Sequence, residues 1–309
     1  MRTLLIFLCG LTLYSCKPYQ TTTMRLDQVT YESFRQSQKS FQSQEGKIAY
    51  IDRGQGPVIL LLHGVPTSGW LYRKMIDPLV AAGYRVIAPD MLGFGSSDSP
   101  KGYEIYSEHM HAARLLALMD HLKIESWTHV MHDAGGLWTW DLLGSQANRV
   151  DNLVILNTII LEEGFVPPIR FKPGFIAKTA MWGYRNGITT NIMLKGLFKA
   201  GLKENNLNKE DIAGYKIPLK EGKTRAMYYF FSQTSNALPD YRPMIQNLNI
   251  PATVIWGRDD DFLKWLPQKA ELEKDFKLTA ADEHLIDAKH FIQEEKPEEI
   301  VNIILNFLK

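Results

Sequence analysis

A mostly parallel sheet with helices on both faces and an inserted helical cap, an α/β architecture, is what this sequence predicts. Three observations carry that expectation. The run 58–62, Val-Ile-Leu-Leu-Leu, is apolar at every position, as a strand covered on both faces must be. Such runs alternate with stretches of helical period, the pattern of successive strand–helix units. The interval 162–236 breaks the alternation and is rich in Lys, Phe, Met and Tyr, so it reads as helices inserted between two strands.

Taken in order, residues 47–52 and 58–62 are short β-rich runs separated by the turn Arg53-Gly54-Gln55-Gly56-Pro57. Pro57 falls at a strand edge, where its missing N–H is tolerated. Residues 84–89 form a strand ending at Asp90, and 108–122 a helix with Ala112, Leu115, Leu116 and Met119 on one face. Residues 128–132, 153–156 and 252–256 read as strands, and 136–143 as a helix. The chain closes with a helix over 297–308, where Pro297, Glu298 and Glu299 suit the first turn. The core is therefore expected over 41–161 and 237–309, and the cap over 162–236.

Composition narrows the function. The 309 residues are 45% hydrophobic and 22% charged, with a net charge of +1. That is too apolar for a disordered chain, and it gives no sign of a nucleic-acid partner. Cys9 and Cys16 are the only cysteines, so the body has no disulfide framework and no thiol nucleophile. Neither metal-ligand spacing nor a phosphate-cradling loop is present, and no cofactor is expected.

The N-terminus reads MRTLLIFLCGLTLYSC. Arg2 and the apolar run 4–13 have the form of an export signal. A run of about 10 residues is too short to span a bilayer, which needs about 20. Leu13-Tyr14-Ser15-Cys16 resembles the lipobox of bacterial lipoproteins. The resemblance implies a signal over 1–15, a lipid on Cys16, a Thr/Gln/Ser-rich spacer over 16–40, and an exported protein held at a bacterial membrane.

Four stretches concentrate chemistry. His63-Gly64-Val65-Pro66 directly follows a buried strand. Thr128-His129-Val130-Met131-His132-Asp133-Ala134-Gly135-Gly136 runs from a strand through a tight turn into a helix. Asp133 there has two readings, a helix N-cap or a functional carboxylate. Trp256-Gly257-Arg258-Asp259-Asp260-Asp261 follows the late strand, and Asp287-Ala288-Lys289-His290-Phe291 precedes the last helix.

With HGVPTS, APDMLGFGSSD, HDAGG, WGRDDDF and KHFIQEEKPEEI in this order, the chain from residue 41 onward resembles the α/β-hydrolase superfamily. It is most similar to the aspartate-nucleophile branch, which holds epoxide hydrolases and haloalkane dehalogenases. The resemblance implies Asp133 as nucleophile, His290 as base and Asp260 as the acid that orients it. It also implies an oxyanion hole from the N–H groups of Val65 and Ala134. Some relatives carry the acid at the end of the preceding strand, but Asn157 stands there and cannot ionise. A carboxylate nucleophile needs no base to attack saturated carbon and gives an alkyl ester, which the histidine then hydrolyses with water.

The two subfamilies differ at the leaving group. Haloalkane dehalogenases hold halide with a Trp after the nucleophile and a donor in the oxyanion loop; here Ala134 and Val65 stand at those positions. Trp138, Trp140 and Trp182 lie elsewhere. Epoxide hydrolases protonate the departing oxygen with cap tyrosines, and Tyr215, Tyr228 and Tyr229 are the candidates. The expected activity is epoxide hydrolase-like, on a small apolar or amphipathic substrate. The alternatives are a haloalkane dehalogenase with atypical halide donors and a non-catalytic binding lipoprotein on the same scaffold.

Overall fold

The computed structural model describes residues 29–167 and 169–309. The signal and Cys16 lie outside the described residues. Eight strands form one sheet in the order β1-β2-β4-β3-β5-β6-β7-β8. They are β1 Lys39–Gln42, β2 Lys47–Arg53, β3 Val58–Leu62, β4 Arg85–Asp90, β5 Trp127–Asp133, β6 Val150–Thr158, β7 Ala252–Gly257 and β8 Glu283–Ile286. β1 and β2 pair antiparallel, as do β2 and β4. From β4 to β8 all pairing is parallel. All seven residues of β5, Trp127 to Asp133, are buried, as a central strand covered on both faces must be.

Among the described residues there are twelve α-helices. They are α1 Tyr31–Ser37, α2 Arg73–Ala81, α3 Glu108–His121, α4 Gly135–Gln146, α5 Phe175–Gly183 and α6 Ile188–Gly201, then α7 Lys209–Lys220, α8 Arg225–Ser232, α9 Arg242–Ile245, α10 Lys269–Asp275, α11 Ile292–Glu295 and α12 Pro297–Phe307. Local sequence fixes their ends. Ser107 caps α3 by accepting from the Met110 N–H. At α7, Asn208 accepts from Glu210 and Asp211 while the Asp211 carboxylate reaches back to the Asn208 N–H, a capping box. Helices α5 to α8 lie between β6 and β7, inside the interval expected to form a cap.

One expectation needs correction. The spacer is expected over 16–40, yet α1 and the start of β1 fall within it. Tyr31 and Phe34 are buried, and both meet Trp70 edge-on, with ring centroids 5.4 and 5.2 Å apart. Arg35 reaches cap residue Glu221 at 2.8 Å. The ordered domain thus includes residues that composition assigns to a linker, because their partners come from distant sequence. Strands β1 and β8 were also missed. They are short edge strands, and the sheet ladder rather than an apolar run defines them.

A buried charge cluster ties cap to core. Arg73 of α2 donates to Glu294 of α11 at 2.5 and 2.8 Å and to Asp211 of α7 at 2.5 Å. Its guanidinium lies 4.4 Å from the Trp70 ring centroid. Trp70 in turn donates its indole N–H to the Asp211 carbonyl at 3.0 Å. Among the described residues no helix is long and apolar enough to cross a membrane.

Candidate active site

Asp133 ends β5 with φ of +52°. That left-handed conformation is strained for a residue with a Cβ and is typical of functional turns. It is held because strand and helix close tightly around it. A Cβ on Gly135 would sit 2.7 Å from the His63 carbonyl, and one on Gly136 would strike Thr158. A Cβ on Gly64 would strike the Asp133 carboxylate itself. Glycine at 64, 135 and 136 is thus a condition of the turn. The helix begins at Gly135 with Ala134, not Asp133, at its N-cap, which sets aside the N-cap reading.

The loop after β3 faces this turn. The Val65 N–H donates to Asp133 Oδ1 at 2.6 Å, and the neighbouring Ala134 N–H helps lower the carboxyl pKa. His63 braces the loop. Its Nδ1–H donates to the Gly64 carbonyl at 2.7 Å and its Nε2 accepts from the Met91 N–H at 2.9 Å. Both bonds are satisfied only by the neutral ring. Burial agrees, lowering the His63 pKa to about 4.

His290 enters from the loop after β8. Its Nε2 lies 3.7 Å from Asp133 Oδ2, and its Nδ1 lies 3.0 Å from Asp260 Oδ2. The first distance is too long for a hydrogen bond, and the second is within range. Of three adjacent aspartates the sequence reading favours Asp260, and burial separates it from the other two. Asp260 is 5% exposed, whereas Asp259 pairs with Lys203 and Asp261 with Lys289 at the surface. Asp260 Oδ1 accepts from the N–H groups of Phe262 and Leu263 at 2.8 and 3.1 Å. Phe262 and Phe291 flank the His290 ring edge-on, at 5.3 and 4.9 Å.

Charge follows from this setting. Burial disfavours the His290 cation, but the charge and hydrogen bond of Asp260, with Asp133 beyond, outweigh it and hold the imidazole above its usual value. Burial pushes the Asp133 carboxyl up, and His290 with the Ala134 and Val65 N–H groups pulls it partly back. A protonatable base, an oriented acid and a carboxylate cradled by two N–H groups therefore share one dry site. The arrangement suits attack by the carboxylate followed by general-base hydrolysis.

Two neighbours take roles that sequence reasoning did not assign: Asn157, considered there only as the place where some relatives carry the acid, and His132. Asn157 is the penultimate residue of β6, with φ of +26°. It donates Nδ2–H to Asp260 Oδ2 at 2.6 Å while its Oδ1 accepts the Gly257 N–H at 2.8 Å. His132 donates Nε2–H to the His290 carbonyl at 2.9 Å. Nothing in local sequence links either to its partner.

Other candidates lie elsewhere. Tyr215 is buried with its hydroxyl committed to Glu294, so it is a strut between cap and core rather than a proton donor, contrary to the expectation. Tyr228 accepts the Gly174 N–H at 3.2 Å and stacks on Tyr103. Tyr229 is half-buried near Glu108 and Glu104, with its pKa raised to about 12 by burial. The Asp133 carboxylate meets Val65 and His290 instead of any of the three. Trp140 donates to the Ile159 carbonyl at 2.8 Å, Trp138 packs on His63 and His111, and Trp182 is exposed. Among the described residues no group of His, Cys, Asp and Glu could hold a metal.

Known proteins share this fold. A haloalkane dehalogenase of Bradyrhizobium elkani superposes with a TM-score of 0.67 at 23% identity, covering 88% of this chain and 97% of that one. An epoxide hydrolase of Bacillus megaterium superposes with a TM-score of 0.66 at 22% identity, covering 87% and 99%. In sequence, a haloalkane dehalogenase of Mycolicibacterium paratuberculosis is 32% identical over 275 residues, 84% of this chain and 87% of that protein. The alpha/beta hydrolase fold family matches residues 57–297. With strand order, elbow and sequence likeness in agreement, this chain belongs to the alpha/beta hydrolase fold family and is a hydrolase.

Proposed function

We propose that the protein hydrolyses a small apolar or amphipathic electrophile through an alkyl ester on Asp133, in the manner of an epoxide hydrolase. One observation carries the reading. The Asp133 carboxylate has Oδ1 fixed on the Val65 N–H at 2.6 Å and Oδ2 turned toward His290 Nε2 at 3.7 Å. Oδ2 attacks the substrate carbon, the carbon–oxygen bond of the epoxide breaks, and the departing oxygen takes a proton from water or a cap hydroxyl. His290 Nε2 then takes a proton from water, and the hydroxide adds to Asp133 Cγ. The Val65 and Ala134 N–H groups hold the oxyanion that forms on Oδ1. Collapse breaks the ester bond, and His290 returns the proton to the product alcohol. An ester carbonyl is a poor substrate for this site, because attack would give an anhydride.

Haloalkane dehalogenation is the second reading, favoured by the 32% identity to a dehalogenase. Against it, the side chains of Val65 and Ala134 donate no hydrogen bond, and an unpaired halide in a dry pocket is costly. Turnover of epoxides and haloalkanes in H2(18)O tests both. The expected result is label in the peptide containing Asp133, abolished in Asp133→Ala, with the productive panel naming the leaving group. Absence of label and turnover across both panels would favour a binding protein on the hydrolase scaffold.

We also propose that a lipid on Cys16 holds the chain at a bacterial membrane, as its lipobox-like sequence suggests. Metabolic labelling with palmitate should mark the protein and fail in Cys16→Ser.

A further inference from the structure

Residues 165–200 contain no Asp or Glu but carry Arg170, Lys172, Lys178, Arg185, Lys195 and Lys199. That is a net +6 in a chain whose total is +1. Among the described residues, seven large hydrophobic side chains are exposed, and six of them fall in this same interval. Phe175 is 83% exposed, Ile176 73%, Trp182 60% and Ile192 66%. Exposed apolar residues scattered singly need no explanation; a group of them amid unopposed cations does.

Helical spacing gathers these residues. On α5 the exposed positions are 175, 176, 178, 179 and 182, one face. On α6 they are 191, 192, 195, 196 and 199, again one face. The two helices are joined by the turn 184–187. Lys172, Lys178, Arg185, Lys195 and Lys199 are all exposed, and among the described residues none forms an ion pair. Aromatic and aliphatic side chains beside free Lys and Arg are the composition of a surface that enters the lipid headgroup region.

The chain enters the fold beside this face. Arg185 lies over Gly222, and Lys220 beside Gly187, so the α5–α6 turn rests on the end of α7. Glu221, at that same end, pairs with Arg35 of α1. Cys16 precedes Tyr31 by 15 residues (31 − 16), a span of at most about 50 Å. We infer that the outer face of α5 and α6 docks on an anionic lipid bilayer, with Phe175, Ile176 and Trp182 inserted and the cap cations on the headgroups. This contact is separate from any lipid on Cys16 and from the catalytic reading.

The other six tryptophans are buried, so Trp182 reports the contact. Full-length protein and its Cys16→Ser form are mixed with vesicles of phosphatidylcholine or of phosphatidylcholine with phosphatidylglycerol, carrying brominated acyl chains. With phosphatidylglycerol present, tryptophan emission should be quenched in both forms, and Trp182→Phe should remove the quenching. In the Cys16→Ser background, Lys178→Glu and Lys195→Glu should each weaken binding roughly fivefold or more, and added salt should weaken it too. Phe175→Ser with Ile176→Ser should abolish binding while leaving thermal stability unchanged, because both side chains are already in solvent. Vesicle-bound protein with unquenched Trp182 would overturn the proposal. So would a serine variant that binds vesicles normally, or one whose sole effect is to convert a dimer to a monomer, which would assign the face to a second copy of the chain.

Discussion

Asn157 Nδ2 lies 2.6 Å from Asp260 Oδ2, the same oxygen that faces His290 Nδ1 at 3.0 Å. The amide cannot turn, because its Oδ1 accepts the Gly257 N–H. Asparagine therefore presents a fixed donor to the carboxylate that faces His290.

Loss of that donor should tell. Asn157→Leu removes a hydrogen bond to a buried charge, and kcat should fall about tenfold with KM little changed. Asn157→Asp places a second carboxylate beside Asp260 and His290. The added negative charge favours the imidazolium, so the acid limb of the kcat profile should move to higher pH. An unmoved limb would contradict the electrostatic link.

His290→Gln should trap the intermediate. The carboxylate can still attack, but no base activates water. Intact-mass analysis after one turnover should show the substrate added to the peptide containing Asp133. A variant that turns over slowly without ever accumulating the adduct would remove His290 from the hydrolytic step.

The pH dependence has a definite sign. His290 works as a base only when neutral, and its folded pKa is raised above 6.5 by Asp260. Single-turnover hydrolysis should therefore be slow at low pH and rise through a midpoint above 6.5. Asp260→Asn should shift that midpoint down while lowering the plateau. A wild-type midpoint at or below 6.5 is incompatible with this geometry.

The Arg73–Glu294 pair should matter for stability. Both side chains are nearly fully buried, so Glu294→Ala leaves a buried cation with only Asp211 and should cost about 3 kcal/mol in urea unfolding. Arg73 holds the Glu294 pKa below its usual 4.5 despite burial. A depressed carboxylate stabilises fully above that usual value and loses its contribution as pH falls through the lower, folded one. The deficit of Glu294→Ala should thus be full at neutral pH and narrow under acid. A deficit constant with pH would mean lost packing rather than lost charge.

Much of the frame is written locally. Runs such as Val58–Leu62 and Ala252–Gly257 can be buried strands because every side chain is apolar or small. Gly64, Gly135 and Gly136 announce the tight turn at Asp133, since any Cβ there collides. Helix α1 is not legible in this way. YESFRQS lacks an extended apolar period, and its burial depends on Trp70.

Sequence alone determined the strand–helix alternation and the tight turn at Asp133, because these follow from side-chain type and spacing along one stretch of chain; the order Asp133, Asp260, His290 rested on the resemblance to a family. Tertiary structure decided the rest. It turned Asp260 inward and left Asp259 and Asp261 to surface lysines. It engaged Tyr215 with Glu294 and bridged Arg73 to a residue 221 positions away. Those choices depend on which distant groups share a buried volume, where an unpaired charge is costly and only the packed chain can supply its partner.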